Sequence, residues 1–287
     1  MTTATATEAA LRLRDMTADD LDAAHALSRL VQWPHRREDW AFFLDVGLGV
    51  IAERDGVVLG TAMAWPYGEA AASLGLVIVS PEAQGGGIGR KLMQALIERL
   101  GSAAILLNAT EEGLKLYRSL GFEPIGAIRQ HQGAAFSVPI AALSPHERIR
   151  PLGASDKAAL LALDLQATGL QRETLITALL GAAKGVVLDR EGEAIGFALM
   201  RRFGRGYLVG PVIAPDLQGA KALISHWLGT NAGMFTRLDV QEDSGLVDWL
   251  EELGIVGVGR VTTMVRGAPP ARDDAVRAFA IAGQAVG

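Results

Sequence analysis

The apolar and polar positions of this chain follow two different spacings. Short apolar runs such as GVIAER and VVLGTAMAWPYG predict strands, and the Asp55-Gly56 pair between these two is a strong signal for a hairpin turn. Stretches with apolar residues every three or four positions, such as LDAAHALSRLV and KLMQALIERL, predict amphipathic helices. Because the two kinds of segment alternate along the chain, we predict an α/β (α+β) fold.

The second half of the chain repeats the first. Residues 147–152, ERIRPL, resemble LRLRDM near the N-terminus, and GPVIAPDLQG at 210–219 matches GLVIVSPEAQG at 75–85. A DREG turn at 189–192 lies between two strand-like runs, as Asp55-Gly56 does in the first half. The repeat predicts two tandem domains, at 10–138 and 147–267. A tail at 268–287 follows, and we expect it to end in a short helix packed on the second domain.

A glycine-rich loop separates an apolar run from a helix in the first repeat. Its glycines, Gly85, Gly86, Gly87 and Gly89, allow positive φ and a close approach of backbone to a ligand. The helix start adds free N–H groups and a partial positive charge, so the loop is suited to an anion; a flexible turn is the structural alternative. The second copy lacks the loop, because six positions separate Gly85 from Lys91 but two separate Gly219 from Lys221.

Two common phosphate-binding motifs do not fit this loop. It has no Gly-Lys-Ser/Thr ending, and the Gly-x-Gly-x-x-Gly pattern of dinucleotide sites fails because Arg90 fills the third glycine position. The acidic ribose partner expected about 20 residues further on is also missing.

The composition narrows the function further. A net charge of −5 and a pI near 5.6 disfavour a nucleic-acid or membrane-surface binder, since both need a basic face. The absence of cysteine excludes disulfides and thiolate metal sites, and we expect no metal site. No leader pattern or long apolar window is visible, which predicts a cytoplasmic protein.

The loop and a later segment resemble two motifs of the GNAT superfamily of acyl-CoA-dependent acetyltransferases. Gln84-x-x-Gly87-x-Gly89 resembles motif A, and Leu116-Tyr117-x-x-x-Gly121-Phe122 resembles motif B. The whole chain is similar to bacterial tandem acetyltransferases that have an intact N-terminal GNAT domain and a degenerate C-terminal one. The resemblance implies two GNAT-type domains, each with a mixed, mostly antiparallel twisted sheet flanked by helices, and acetyl-CoA as cofactor with CoA as product.

The resemblance also implies roles for particular residues. Tyr117 is the expected general acid, and a backbone N–H of the strand at 77–79 is expected to polarise the acetyl carbonyl. Leu250 occupies the corresponding position of the second copy, so we expect one CoA site per chain. The implied cofactor-binding residues are Val77, Ile78, Val79, Gln84, Gly85, Gly86, Gly87, Ile88, Gly89, Arg90, Lys91, Asn108, Thr110 and Tyr117. Family members often have Asn seven residues before this tyrosine; here that position is Thr110, with Asn108 two residues earlier.

The general base and the acceptor site are less well defined. An alkylammonium has a pKa near 10 and must lose a proton before it attacks. The candidate bases are Glu69, His35, Asp39 and His131. Two unusual segments, QWPHRREDW at 32–40 and RRFGRGYLVG at 201–210, supply the candidate acceptor-binding residues Trp33, His35, Asp39, Trp40, Arg205 and Tyr207. The alternatives are a helix N-terminus with Trp40 packed inward and a solvated hairpin.

The implied function is transfer of an acetyl group from acetyl-CoA to the primary amine of a small molecule by direct attack. The alternative is a non-catalytic sensor of CoA or acyl-CoA. The expected partner is the small-molecule amine, and both a monomer and a homodimer stay open.

Overall fold

A computed structural model describes residues 10–139, 141–273 and 275–287 of the 287-residue chain. Residues 1–9, part of the stretch on which the sequence predicts no leader, lie outside the described residues. The strands are β1 (Arg12–Asp15), β2 (Leu48–Arg54), β3 (Val57–Tyr67), β4 (Ala71–Val79), β5 (Ala104–Ala109), β6 (Glu123–Gly133), β7 (Glu147–Pro151), β8 (Lys184–Arg190), β9 (Glu193–Phe203), β10 (Gly206–Ala214), β11 (Thr236–Gln241), β12 (Ile255–Arg266) and β13 (Arg277–Ala280). The helices are α1 (Leu21–Leu30), α2 (Arg37–Asp45), α3 (Ile88–Leu100), α4 (Leu114–Ser119), α5 (Lys157–Thr168), α6 (Glu173–Ala182), α7 (Leu217–Thr230) and α8 (Val247–Glu252).

The structure divides into two compact units. Of the described residues, the first contains 10–64 together with Leu76–Gly101, and the second contains Trp65–Gly75 together with those from Ser102 to Gly287. Strands β3 and β4 therefore pass from one unit into the other. This division follows spatial contacts and differs from the domains at 10–138 and 147–267, which follow the sequence repeat and stay a prediction.

The first unit is built around an antiparallel meander. Strand β1 pairs with β2, and β2 pairs with β3. The turn between β2 and β3 has φ of 52° at Asp55 and 76° at Gly56, which confirms the predicted hairpin. Large side chains from α2 and α3, including Trp40, Phe43, Leu92 and Met93, are at most 1% exposed and form the core.

The two sequence repeats begin with the same ion pair. Arg14 donates to both carboxylate oxygens of Asp20 at 2.7 and 2.6 Å, and Arg150 does so to Asp156 at 2.8 Å twice. Each arginine lies on the first strand of its repeat and each aspartate lies just before the first helix. These charge-assisted hydrogen bonds lower the pKa of both aspartates. The equivalent pairs support the repeat that the sequence predicts.

Within the second unit the two repeats exchange their last strands. The first repeat ends in β6, which pairs with β11 of the second repeat. The second repeat ends in β12, which lies between β5 and β6 of the first. The strand order in this unit is β4-β5-β12-β6-β11-β13-β10-β9-β8-β7, antiparallel except for the β4–β5 pair and a short β10–β11 pairing. The result is a twisted, mostly antiparallel mixed sheet with helices against it, as expected.

The tail forms a strand where the sequence predicts a short helix. Strand β13 pairs antiparallel with both β10 and β11 and so lies between them. Phe279 and Ala280 are 2% and 0% exposed and belong to the core of the second repeat. The helix prediction is wrong because strands β10 and β11 separate after Leu208 and Arg237, and their unpaired backbone groups are satisfied by an added strand.

Candidate functional site

The glycine-rich loop at the start of α3 lies in the first unit and has the backbone conformation that its sequence predicts. Gly85 and Gly87 have φ of 83° and 76°, and Gly87 is the residue that caps the helix. A Cβ built on either glycine meets no atom within 4 Å, so the loop faces open space. Within the part of the chain that the structure describes, no side chain caps the first N–H groups of α3. The loop thus fits an anion that approaches the helix N-terminus.

The other loop residues divide into buried and exposed ones. Ile78 and Ile88 are 3% and 4% exposed and pack inward, so they can offer only backbone groups to a ligand. Gln84 donates to the carbonyl of Val79 at 3.2 Å, which holds the loop against the end of β4. Arg90 and Lys91 are exposed in the first turn of α3. Their charges add to the attraction for an anion.

The corresponding helix of the second repeat is closed to an anion. Helix α7 begins at Leu217, and the carboxylate of Asp216 accepts a hydrogen bond from the backbone N–H of Gly219 at 2.7 Å. A Cβ on Gly219 would lie 2.7 Å from Leu188, so this backbone is packed against the core. The side-chain anion already occupies the position that a phosphate would need, and β13 lies between β10 and β11. Leu250, in the position of Tyr117, is fully buried.

Tyr117 lies on α4 of the second unit. Its ring contacts Phe122 edge-on, with ring centroids 6.1 Å apart, and packs over Gly113, where an added Cβ would lie 2.6 Å from the ring. Burial raises the pKa of Tyr117 to about 12, so the hydroxyl is protonated at neutral pH. Among the described residues, no group is hydrogen-bonded to this hydroxyl, which leaves its proton free for a ligand.

Strands β4 and β5 form a fork in the second unit. They pair in parallel from Ala71–Ala104 to Ser73–Leu106, and the pairing ends there although both strands continue. Residues 281–287, which we call the tail segment, lie at the end of this pairing. Ser73 Oγ donates to the carbonyl of Ala285 at 2.8 Å, and Asn108 Nδ2 donates to that of Gln284 at 2.9 Å.

Two connected cavities lead to the fork. The inner one, the neck, has a volume of about 60 Å³ and is lined by Tyr67, Ser73, Asn108, Arg172, Thr263, Gly287 and apolar side chains. The outer one, the groove, has a volume of about 950 Å³ and carries Glu242, Asp243, Arg260, Arg272, Asp273 and Arg277. Ala167, Gln241, Thr263, Arg272 and Ala278 line both. The described lining of the neck includes no Asp, Glu or His side chain.

Asn108 and Thr110, the two candidates for the altered CoA contact, have partners within the protein. The amide oxygen of Asn108 accepts from Thr263 Oγ1 at 2.8 Å, while its nitrogen donates to the tail segment. Thr110 precedes a short 3₁₀ helix, and its side chain is hydrogen-bonded to Glu112, which helps to lower the pKa of that carboxyl. Asn108 therefore holds the tail segment, and a role in cofactor binding stays a prediction for both residues.

Two of the four candidates in the QWPHRREDW segment have structural roles. Asp39 is 1% exposed and accepts hydrogen bonds from the backbone N–H and the guanidinium of Arg36, at 2.8 and 2.6 Å, at the start of α2. Trp40 is fully buried and donates to Ser28 Oγ at 3.3 Å. His35 packs among Trp33, Trp40 and Phe43 with ring centroids 5.9 to 6.2 Å apart. This arrangement favours the alternative, a helix N-terminus with Trp40 packed inward.

The other candidates are spread over the second unit. Glu69 is exposed in the turn between β3 and β4, four residues before Ser73 in sequence. Arg205 is in the turn between β9 and β10, and Tyr207 stacks under Arg202, whose guanidinium carbon is 5.1 Å from the ring. His131 is fully buried on β6, and desolvation lowers its pKa. None of these four lines the neck.

Sequence reasoning missed the residues that surround the fork. Tyr67, Arg172 and the tail segment meet there although more than 100 residues separate the first two in sequence. Arg172 forms a buried ion pair with Asp164, with both side chains 2% exposed. What marks these residues is a buried ion pair, and burial cannot be read from the pattern of the sequence.

Comparison with models of known protein families identifies the family of this chain. A family model described as an acetyltransferase (GNAT) domain matches residues 45–124, and a second model of the same description matches residues 160–280. The chain is a tandem GNAT protein. The first match contains the glycine-rich loop and Tyr117, and the second contains α7 with its Asp216 cap.

Several known proteins are similar to this chain in sequence or in fold. The chain is 33% identical over 186 residues to the uncharacterized N-acetyltransferase YitH of Bacillus subtilis, a match that spans 63% of this chain and 65% of that protein. A crystal structure of a putative acetyltransferase from Pyrococcus horikoshii has a TM-score of 0.78 at 21% identity and covers 96% of each chain. A tandem GNAT protein from the clavulanic acid biosynthesis pathway has a TM-score of 0.65 at 15% identity and covers 92% of this chain and all of that one. Within the described residues, no helix is long and apolar enough to cross a membrane.

Proposed function

We propose that this tandem GNAT protein is an acetyl-CoA-dependent N-acetyltransferase that acts on the primary amine of a small molecule. The first repeat would bind acetyl-CoA through the backbone N–H groups of the loop from Gln84 to Gly89, with Arg90 and Lys91 beside the diphosphate. The second repeat would bind none, since Asp216 closes its helix N-terminus. We therefore propose one cofactor site per chain.

The observation that best supports the catalytic function is that the Tyr117 hydroxyl keeps its proton at neutral pH. Acetyl-CoA, when bound, supplies a thioester carbonyl to the attacking amine. Tyr117 holds an unshared phenolic proton in an apolar environment and would give it to the sulfur as the bond to carbon breaks. A protein that only senses CoA does not need such a proton donor, so this residue favours the enzyme over the sensor.

Loss of the proton from the acceptor amine does not require a protein base in the neck. Its described lining has no Asp, Glu or His side chain, and Arg260 and the Ala275 N–H lower the pKa of Glu242 and Asp273, respectively, in the groove, which makes them weak bases. We propose that water in the neck carries the proton to the groove. Alignment of amine and thioester would supply much of the rate, roughly 7 kcal/mol or more in favourable systems. Glu69, His35 and His131 stay alternatives to water.

The test combines turnover with cofactor binding. Release of CoA is followed with a thiol reagent while acetyl-CoA and a panel of small amines are added; the chain has no cysteine to interfere. We expect amine-dependent release, and we expect Tyr117→Phe to lower kcat by about 10²-fold or more with unchanged affinity for CoA, because only the proton donor is lost. If the protein binds CoA but no amine causes release of CoA from acetyl-CoA, the result would favour the non-catalytic sensor.

A further inference from the structure

A further cavity of the second unit is lined by basic side chains. It has a volume of about 640 Å³, and Lys157 at the start of α5, Lys184 at the start of β8 and His226 on α7 line it. We call this space the lysine cavity. Its described lining includes no Asp or Glu side chain. Because the chain has five lysines in all and a net charge of −5, two lysines around one cavity are a local departure from its overall charge.

The two lysines belong to the second repeat alone. When the repeats are aligned on their equivalent Arg–Asp ion pairs, Lys157 stands at the position of Leu21. Strands β2 and β8 have seven residues each, and their alignment places Lys184 at the position of Leu48. Two positions that are apolar in the first repeat are therefore basic in the second, and both line the same cavity. The shared fold does not require a lysine at either position.

The positive charges of the lysine cavity are free to contact a ligand. Among the residues that the structure describes, none forms an ion pair or hydrogen bond with either ammonium group. The neighbouring carboxylate of Asp156 is already bound by Arg150, at 2.8 Å twice, and by the backbone N–H of Gly153 at 2.7 Å. Desolvation lowers the pKa of His226, so its ring is uncharged at neutral pH and can still donate one hydrogen bond.

The rest of the lining is largely apolar and is held in place. Leu152 packs over Gly185, where an added Cβ would lie 2.6 Å from Cδ2 of the leucine, and the backbone N–H of Leu152 donates to the carbonyl of Gly185 at 3.0 Å. Val186 and Trp227 also line the cavity and are 3% and 4% exposed. A ligand that matches this lining has an apolar body as well as a negative charge.

We propose that the lysine cavity binds a small organic carboxylate, with the carboxylate group within reach of Lys157 and Lys184 and an apolar body against Leu152 and its neighbours. Ion pairs at a protein surface contribute little individually, so burial of the apolar body supplies part of the affinity. The second repeat, whose helix N-terminus is closed by Asp216, would then bind a different anion at a different place.

This inference goes beyond acetyl transfer and does not depend on it. The described lining contains no residue of the glycine-rich loop and none of α4, which carries Tyr117. Loss of acetyl transfer would therefore leave carboxylate binding intact, and the reverse also holds.

Equilibrium titration of the full-length protein tests the ligand class. The probes are benzoate, 4-phenylbutanoate and hexanoate, each compared with its neutral primary amide. We expect saturable binding of a carboxylate and about tenfold weaker binding of its amide, which lacks the attraction of both ammonium groups. Acetate and inorganic phosphate should bind about tenfold more weakly as well, because they bury little or no apolar surface. Equal affinity for carboxylate and amide, phosphate binding as tight as that of the best carboxylate, or no saturable binding of any probe overturns the proposal.

Lysine variants locate the bound carboxylate. Lys157→Met and Lys184→Met remove the charge and keep an apolar stem, and each should weaken binding of the best probe about threefold to fivefold. The matched control is Lys115→Met on α4, which removes a lysine outside the described lining and should leave the affinity unchanged. If the protein with both cavity substitutions binds the probe as tightly as the unsubstituted one, the carboxylate is bound elsewhere and the proposal is wrong.

Proton NMR of the histidine rings gives a second readout at the cavity itself. The His226 resonance, assigned by its loss in His226→Gln, should move when the best probe is added. The pKa of His226 should rise, because a nearby carboxylate favours the charged ring. His146, which precedes β7 and is absent from the described lining, serves as internal control. Saturable binding that leaves the His226 resonance and its pKa unchanged would place the ligand elsewhere and overturn the proposal.

Discussion

At the scale of single residues, positive φ values shape both the glycine-rich loop and the hairpin turn between β2 and β3. Gly85 and Gly87 adopt positive φ beside open space, and Asp55-Gly56 does the same in a hairpin turn. Such conformations favour glycine over any residue with a Cβ. Burial raises the pKa of Tyr117, which keeps its proton at neutral pH, while its role as general acid stays a prediction.

A substitution at Gly87 tests whether the glycine-rich loop binds the anionic part of CoA. Gly87→Val should abolish measurable CoA binding, because the β-branched side chain would fill the open space in front of the first turn of α3 and strain its left-handed backbone. The control is Gly101→Val at the other end of the same helix, where φ is 61° and space is also open. Both variants should lose about 1–3 kcal/mol of unfolding free energy from strain. Calorimetric titration with CoA and thermal unfolding measure the two effects.

If the glycine-rich loop binds CoA, the two variants should differ only in their affinity for CoA. Gly101→Val should bind CoA like the unsubstituted protein, and normal affinity in Gly87→Val would contradict the assignment.

At the scale of elements, the exchange of β6 and β12 makes the two repeats depend on each other. Strand β12 pairs with β5 from Ile105 to Ala109 and with β6 along most of its length. Without β12, the first repeat would leave facing edges of β5 and β6 unpaired, and such edges lead to aggregation. The repeats are therefore units of sequence rather than units of folding.

Expression of separate fragments tests this dependence. Residues 10–138 alone should show no cooperative unfolding transition, whereas co-expression with residues 139–287 should give a soluble complex, since the cut falls between β6 and β7 and preserves every strand pairing. A matched second fragment that ends at residue 254 lacks β12 and β13 and should not co-purify. A cooperative melt of the first fragment by itself would show that the exchange is dispensable. Circular dichroism and affinity co-purification provide the measurements.

At the scale of the whole molecule, acidic side chains line the outer groove, whereas the described lining of the neck includes no Asp, Glu or His side chain. Arg260 is bonded to both carboxylate oxygens of Glu242, at 2.8 and 3.0 Å. Arg172 in the neck is paired with Asp164. The fraction of acceptor present as free amine should therefore control the reaction.

The pH dependence of kcat/KM follows from this arrangement. For an alkylamine with a pKa near 10, kcat/KM should rise about tenfold per pH unit from pH 7 to about 9, because only the free amine reacts. No falling limb is expected in this range, since the pKa of Tyr117 is about 12 and its proton is retained. A fluorinated amine of much lower pKa serves as control and should give a flat profile. A break in the profile between pH 6 and 7 would instead indicate that a protein base takes the proton.

Much of the architecture could be predicted from local patterns. The hairpin at Asp55-Gly56, the glycine-rich loop and the tandem repeat all depend on residues close together in sequence. The candidate site was predictable only in part: motifs point to the glycine-rich loop and Tyr117, whose roles stay predictions, whereas the hydrogen bonds of Tyr67 and Arg172 to the tail segment could not be predicted. Asp39 and Trp40 stand in a segment of unusual composition, and in the structure they form the N-terminus of a helix. Composition alone does not distinguish that structural role from ligand binding.

The sequence by itself determined the elements, their order, the loop that suits an anion and the loss of that loop in the second repeat. These features follow from φ preferences, apolar spacing and glycine content, which act over a few residues. Only the tertiary structure decided that β12 lies between β5 and β6, that residues 277–280 form a strand, and that the tail segment is hydrogen-bonded to β4 and β5. The physical reason is that the backbone N–H and C=O groups of a strand edge are the same in every strand, so the choice of partner depends on which edges the folded chain brings together.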